Sequence, residues 1–176
     1  MEDIQHLQYP VGRFNYNEFI SQTDIDTCIS IIAAFPANLD ELIAPMTANQ
    51  LDMPYRPGGW NVRQVVHHCA DSHMNAFITL KLALTEDNPT IKSYDENLWA
   101  VLSDSTQLEP QVSIMLLHGL HTRWATLLQG LTQAEFKLTY FHPEHQKAQT
   151  IQFQTALYAW HCNHHLAHIR LVADKV

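Results

Sequence analysis

Basic residues are few in this chain. Ten Lys and Arg face eighteen Asp and Glu, which leaves a formal net charge of −8 with the twelve His counted as neutral. A surface of that sign argues against a nucleic acid or an anionic membrane as the main partner. Charge of either sign is also sparse, 16% against 46% hydrophobic residues, and that balance excludes a disordered chain. Cysteine is rare: Cys28, Cys69 and Cys162 form an odd set without CxxC spacing, which suits a reducing compartment better than a disulfide scaffold. No apolar run reaches the roughly 18 residues of a membrane span, and the start Met1-Glu-Asp-Ile-Gln-His6 lacks a secretory pattern. The expectation is a soluble cytoplasmic protein. Internal repeats, low-complexity segments and linkers are missing too, so residues 1–176 read as one domain with a substantial core.

What is present is helical periodicity. Residues 1–22, with Tyr9-Pro10 and Gly12, read as an irregular arm lying over a bundle. Ile25, Cys28, Ile29, Ile32, Ala33, Leu39, Leu42 and Ile43 recur at helical spacing between Asp24 and Met46, and Pro36 predicts a kink or two successive helices. Thr47–Gly59 is a connection whose paired glycines permit positive φ, and Asn61 is placed to cap a second helix running to Thr85. Glu86–Gln107 is a long loop, of a kind that often carries function, with room for a short helix at Asp95–Val101. A third helix is expected over Pro110–Gln129, with Pro at its start and Gly130 at its end, and Leu131–Glu135 could add a turn. Leu138–Phe141 and Ala148–Ile151 flank His142-Pro143-Glu144 as a short β-hairpin, after which Thr150 caps the last helix. Four long helices predict an all-α, four-helix-bundle domain with a long loop between helices two and three.

Histidine supplies the chemistry. His161, His164, His165 and His168 fall within ten residues, as two pairs four apart, and each pair can offer two ring nitrogens to one metal ion. Twelve His scattered at random would give about one such pair, so the spacing alone is a weak signal. A second cluster, His67-His68, lies on the second helix. His68 shares a polar face with Gln64, Asp71, Ser72, Asn75 and Thr79, whereas His67 is rotated by about 100° toward Met74 and Ile78. If that face borders a cavity, then Gln64, Asp71 and Asn75 should line the approach to a metal; otherwise it is simply solvated. His68 with His161 and His165 would supply the three ligands of a catalytic zinc-type site. Cys69 and Cys162 are each rotated away from a neighbouring candidate ligand and read as buried small residues. Asp71, one turn after His68, is a candidate for orienting a ligand or relaying a proton, or else an ordinary surface carboxylate. Tyr158, one turn before His161, is a candidate substrate contact or a core tyrosine. His118 and His121 read as structural or exposed. The run His161-Cys162-Asn163-His164-His165 has H-x-x-x-H spacing without the glutamate of H-E-x-x-H, so a metalloprotease base is missing.

Longer stretches carry a resemblance. Tyr55-Arg-Pro-Gly-Gly-Trp-Asn-Val-Arg-Gln-Val-Val-His-His-Cys-Ala-Asp-Ser-His-Met-Asn75 is similar to the YfiT-like branch of the DinB superfamily. So are Lys81-Leu-Ala-Leu-Thr-Glu-Asp-Asn-Pro89, Tyr94-Asp-Glu96, His121-Thr-Arg-Trp124, His142-Pro143, Tyr158-Ala-Trp-His161 and His164-His-Leu-Ala-His-Ile169, in the family's order. The resemblance implies a four-helix bundle and a metal-dependent hydrolase in which three histidines hold a divalent ion, zinc or nickel. By motif they fall on His68, His161 and His165, which selects among candidates that spacing leaves tied. It also implies relatives that transfer low-molecular-weight thiols, bacillithiol among them, onto electrophiles. His118 and Cys162 match no family signature.

Three neutral ligands leave a metal strongly electrophilic and able to ionise a bound thiol or water. The expected function is transfer of a low-molecular-weight thiol to a small electrophile, with Asp71 and Tyr158 as catalytic candidates. The alternatives are metal-dependent hydrolysis and a non-catalytic metal-binding bundle. The expected partners are therefore small molecules and, as an option, a second copy in a homodimer.

Overall fold

A computed structural model describes residues 4–16 and 21–174. Of the expected N-terminal arm, residues 1–3 and 17–20 lie outside the described part; residues 4–16 are irregular apart from the short helix α1, Gln5–Gln8. Helix α2, Gln22–Ile43, opens on a capping box: Ser21 accepts from the Asp24 amide and the Asp24 carboxylate accepts from the Ser21 amide. It runs through Pro36 as one helix, so the two-helix expectation fails there; Phe35, Pro36 and Leu39 are buried and packing holds the segment helical. The connection that follows contains a four-residue helix, α3, Ala48–Leu51. Helix α4, Val62–Thr85, begins at Asn61, which accepts from the Gln64 amide while the Gln64 side chain accepts from the Asn61 amide.

The loop after α4 contains two short helices, α5 (Glu96–Trp99, capped by Asp95) and α6 (Ser103–Gln107); only the first was expected. Helix α7, Pro110–Gln129, has its predicted ends. The extra turn forms later than expected, as a 3-10 helix at Glu135–Lys137. Strands β1 (Thr139–His142) and β2 (Lys147–Thr150) pair antiparallel, with Thr139 opposite Thr150 and His142 opposite Lys147. Thr150 then caps α8, Ile151–Ala173, by accepting from the Phe153 amide.

The four long helices form the bundle. Both α2 and α4 pack against α7 and α8, so α2 and α4 sit diagonally although they are consecutive long helices in the chain. Ile32, Phe35, Leu39, Leu80, Leu117, Trp124, Leu128, Ile151 and Ile169 fill the space between them. Each contributes roughly 1.5–3 kcal/mol by leaving water. Buried Arg63 ties the start of α4 to its surroundings, donating from Nε to Asp52 Oδ1 at 3.0 Å and from a terminal nitrogen to the Leu108 carbonyl at 2.7 Å. The loop after α4 is stitched to the hairpin, with the Phe141 amide donating to Pro89 and the Ile91 amide donating to Phe141. Loop and hairpin thereby stand over one side of the bundle. Among the described residues, no helix is long and apolar enough to cross a membrane.

Leu39 is fully buried in the bundle core. Leu39→Ala should lower the unfolding free energy by about 2–5 kcal/mol, read from urea titrations of the metal-free protein. A loss under about 1 kcal/mol would mean that the bundle core is not packed at this position.

Candidate metal centre

Helices α4 and α8 bring three imidazoles to one point. His161 and His165, one turn apart on α8, face His68 on α4. The Nε2 atoms of His68 and His161 are 3.3 Å apart, and those of His165 and His161 are 3.1 Å apart. One ring nitrogen from each of the three lies within 4.8 Å of the others, an arrangement able to hold a metal ion. Three nitrogens bound tetrahedrally at the ordinary zinc–nitrogen distance would stand about 3.3 Å apart. The two spacings to His161 match that value, and the third, between His68 and His165, lies within 4.8 Å.

Local sequence explains the placement. Gly58 has φ +67°, which a side chain would strain, and a Cβ on Gly59 would come within 2.7 Å of Arg56 Cγ. The tight turn these glycines allow is closed by the Tyr55 amide donating to the Trp60 carbonyl. It lays Trp60 against the His68 ring, with centroids 4.7 Å apart, and stacks Tyr55 on His168 at 3.9 Å. All three rings line a cavity of about 540 Å3, with His165 the most buried of them.

A further set of histidines stands behind the three. His73 Nε2 is 3.0 Å from His161 Nδ1, and His73 Nδ1 is 2.8 Å from His121 Nε2. His121 Nδ1 lies 2.6 Å from the Ile32 carbonyl oxygen. On the other side His168 Nδ1 is 3.4 Å from His165 Nδ1, and its Nε2 is 3.2 Å from the Gln8 carbonyl oxygen. Burial, reinforced by neighbouring histidines, holds His73, His161 and His165 well below the usual histidine range. Burial pushes His68 and His121 down to about 4, and His168 to about 4 against the opposing pull of the Gln8 carbonyl. These rings are therefore neutral near pH 7, with lone pairs available.

The cavity wall differs in part from expectation. Ser72, Asn75, Thr79 and Tyr158 line it with His68, His161 and His165. Gln64 and Asp71 do not. The Gln64 side chain is taken up by the α4 cap and donates to the Ala100 carbonyl at 2.8 Å. Asp71 is half-buried outside the cavity, where burial and then the negative charge of Asp104 push its carboxyl up to about 6. The polar face of α4 is thus wider than the cavity, and the loop between α4 and α7 covers its remainder. Tyr158 OH lies 3.2 Å from Ser72 Oγ and donates to the Ser72 carbonyl at 3.3 Å; burial raises its pKa, so the hydroxyl keeps its proton.

His67 faces away from the cavity, with Nδ1 2.7 Å from Ser113 Oγ and Nε2 3.1 Å from the Leu108 carbonyl. Cys69 and Cys162 are fully buried, and burial raises both thiols. His118 is exposed, and His164 is buried against Trp160 with ring centroids 4.4 Å apart. Sequence reasoning passed over His73, although a histidine between Ala70 and Phe77 on an apolar face was a visible signal. It also passed over Tyr94, Tyr140, His142 and Gln149 on the loop and hairpin, whose arrival at the cavity depends on tertiary packing.

Comparison with known proteins is decisive about ancestry. A sequence profile of the DinB superfamily matches residues 32–169. The chain belongs to the DinB superfamily. A Bacillus subtilis member named "Putative metal-dependent hydrolase YfiT" is 47% identical over 171 residues, covering 97% of this chain and 96% of that protein. A Bacillus cereus member named "Putative metal-dependent hydrolase" is 49% identical over 173 residues, covering 98% of this chain and 99% of its own. A solved structure described as "YfiT from Bacillus subtilis is a probable metal-dependent hydrolase with an unusual four-helix bundle topology" superposes with a TM-score of 0.94 at 45% identity, covering 97% of each chain. This DinB-superfamily bundle, with its short hairpin, is the fold that the sequence pattern and the resemblance anticipated.

The buried imidazoles set a pH dependence. A histidine depressed in the folded state contributes stability that is present above its unfolded value of about 6.5 and is lost as pH falls through the folded value. For His121 that window runs from 6.5 down to about 4. Asp71, raised from 3.8 to about 6, acts in the opposite direction but is a single group. The metal-free protein should therefore lose stability steadily between pH 6.5 and 4, measured by urea titration with circular dichroism at each pH. Constant stability across that range would show that the imidazoles are not held neutral by the fold.

Proposed function

We propose that His68, His161 and His165 hold one divalent ion, zinc or nickel, and that the site activates a low-molecular-weight thiol for transfer to a small electrophile. The observation that carries this reading is the convergence of three ring nitrogens at the wall of an open cavity where, among the described residues, no carboxylate is paired with them. Bound there, a divalent cation supplies positive charge and an open coordination position that ionise a thiol, or water, near neutral pH. The hydroxyls of Tyr158 and Ser72 are placed to hydrogen-bond a polar group of the substrate, Tyr158 as a donor once it turns its proton from the Ser72 carbonyl. Trp60 offers its ring to an apolar part of the substrate while holding the His68 ring in place.

The choice of nucleophile follows from where a proton would go. Bulk water must lose a proton held about seven pKa units more tightly than that of a thiol. Hydrolysis therefore gains more from a nearby base. Among the described residues, no carboxylate is hydrogen-bonded to the three histidines or named among the charges that shift them. Glu96 and Glu144 reach the cavity wall, but both are exposed. Asp71 lies outside the wall, and this reading gives it no contact with substrate. Hydrolysis is the second reading, favoured by the names of the relatives and by the capacity of metal-bound water to ionise without a strong base.

Elemental analysis of the purified protein should find about one zinc or nickel per chain, abolished by His68→Ala and retained by His67→Ala. Equal metal in wild type and His68→Ala would sink the ligand assignment. The metal-loaded protein, given a chlorinated aromatic electrophile, should form a thioether conjugate only when a small thiol is added. Metal-dependent ester or amide hydrolysis without thiol, together with no conjugate from any thiol tried, would replace transfer by hydrolysis.

A further inference from the structure

Two of the three converging histidines are backed by a second histidine that ends on a main-chain carbonyl. Such a chain has a direction. A carbonyl oxygen only accepts, so His121 must donate its Nδ1 proton to Ile32 across 2.6 Å. His121 is buried and, among the described residues, no carboxylate is paired to it, so it is neutral and its Nε2 is an acceptor. His73 must then donate from Nδ1 to His121, and its own Nε2 accepts from Nδ1 of His161. The same reasoning runs through the second arm. The Gln8 carbonyl takes the Nε2 proton of His168, whose Nδ1 accepts from Nδ1 of His165.

The origin of the first arm lies in α2. In an α-helix the Ile32 carbonyl would accept from the amide of residue 36. Residue 36 is proline, which has no amide proton, and it stands inside the helix. The freed carbonyl is the one that His121 occupies. Pro36 is thus more than a tolerated break in helical chemistry.

We infer that Pro36, His121 and His73 form a positioning relay that fixes His161 as its Nδ1–H tautomer, and that His168 does the same for His165. Each relay leaves Nε2 bare and aimed at the point shared with His68. Among the described residues, no hydrogen bond ties His68 Nδ1, so no such relay stands behind His68. Pro36, His121 and His73 stand behind the cavity wall, while His168 reaches that wall; all four act by setting the form in which two ligands are presented. Partners of this kind typically change metal affinity 10–100-fold when removed.

The test reads protonation directly, by long-range proton–nitrogen NMR of histidine-labelled protein, alongside zinc affinity from competition with a chelator. In metal-free wild type, His161 and His165 should carry the proton on Nδ1. His73→Phe, which keeps ring volume but cannot accept, should weaken zinc binding about 10–100-fold and release the His161 tautomer. His73→Gln can donate to His121 and accept from His161, and should restore most of the affinity. Pro36→Ala returns an amide that competes for the Ile32 carbonyl, and should weaken zinc roughly three- to tenfold. Loss of packing alone would leave the wild-type tautomers unfixed and would not give the order Gln over Phe. A proton on Nε2 of His161 in the metal-free wild type overturns the inference, as does unchanged zinc affinity in folded His73→Phe. Should His73→Phe not fold, the wild-type tautomers and His168→Phe decide the matter. The inference rests on the metal reading, and the two fail separately. Wild type that takes up no zinc defeats the metal reading, whereas zinc-binding protein with the wrong tautomer defeats the relay.

Discussion

Nitrogen lone pairs facing one another repel, and His161 Nε2, standing 3.3 Å from that of His68 and 3.1 Å from that of His165, is stable there only when a proton or a cation lies between the rings. Much of the fold can be read as the means of sustaining that constraint. Burial removes the option of charging every ring, because a desolvated imidazolium without a counter-charge is costly. The surrounding core, with Trp124, Phe35 and Leu80 almost wholly inaccessible, keeps the rings from turning outward to water. The arrangement is accordingly suited to take up positive charge at one point.

The topology matters for the same reason. Because α2 and α4 are diagonal, a residue on α2 reaches α4 only across the centre of the bundle. The histidines make that crossing: Ile32 on α2, His121 on α7, His73 on α4 and His161 on α8 lie in one hydrogen-bonded sequence. A polar chain through a core costs free energy unless each member is satisfied. Here each is. The buried side-chain nitrogens left without a partner among the described residues are those of Trp124, His142 and His164, none of them in the chain.

Legibility in the sequence followed the locality of the cause. Helix ends were readable because capping is decided within four residues, as at Asn61-Val-Arg-Gln64 and Thr150. His68 could be separated from His67 by rotation alone, and the structure turns His67 to Ser113. Pro36 was read as a kink or a division into two helices because propensity is a local rule, and tertiary packing excluded the division. Gln64 and Asp71 share a helical face with His68, but periodicity cannot say how much of a face a loop will cover. His73 went unremarked because its partners lie 48 and 88 residues away on other helices. Choosing His161 and His165 over His164 and His168 required the family resemblance.

Both readings of the chemistry share the three imidazoles, so the wall around them has to discriminate. The protein carries −8 overall, which by itself would repel an anionic reactant. The cavity does not share that bias, since Arg56 and Lys92 are set against Glu96 and Glu144 along its lining. A divalent ion held by neutral ligands would make the centre of the cavity its most positive point, with a balanced mouth and an acidic exterior. A reactant that arrives neutral and becomes an anion only at the centre suits that gradient. A thiol does so at little energetic cost, because its proton is already loosely held; water does so to the extent that the bound ion lowers its pKa.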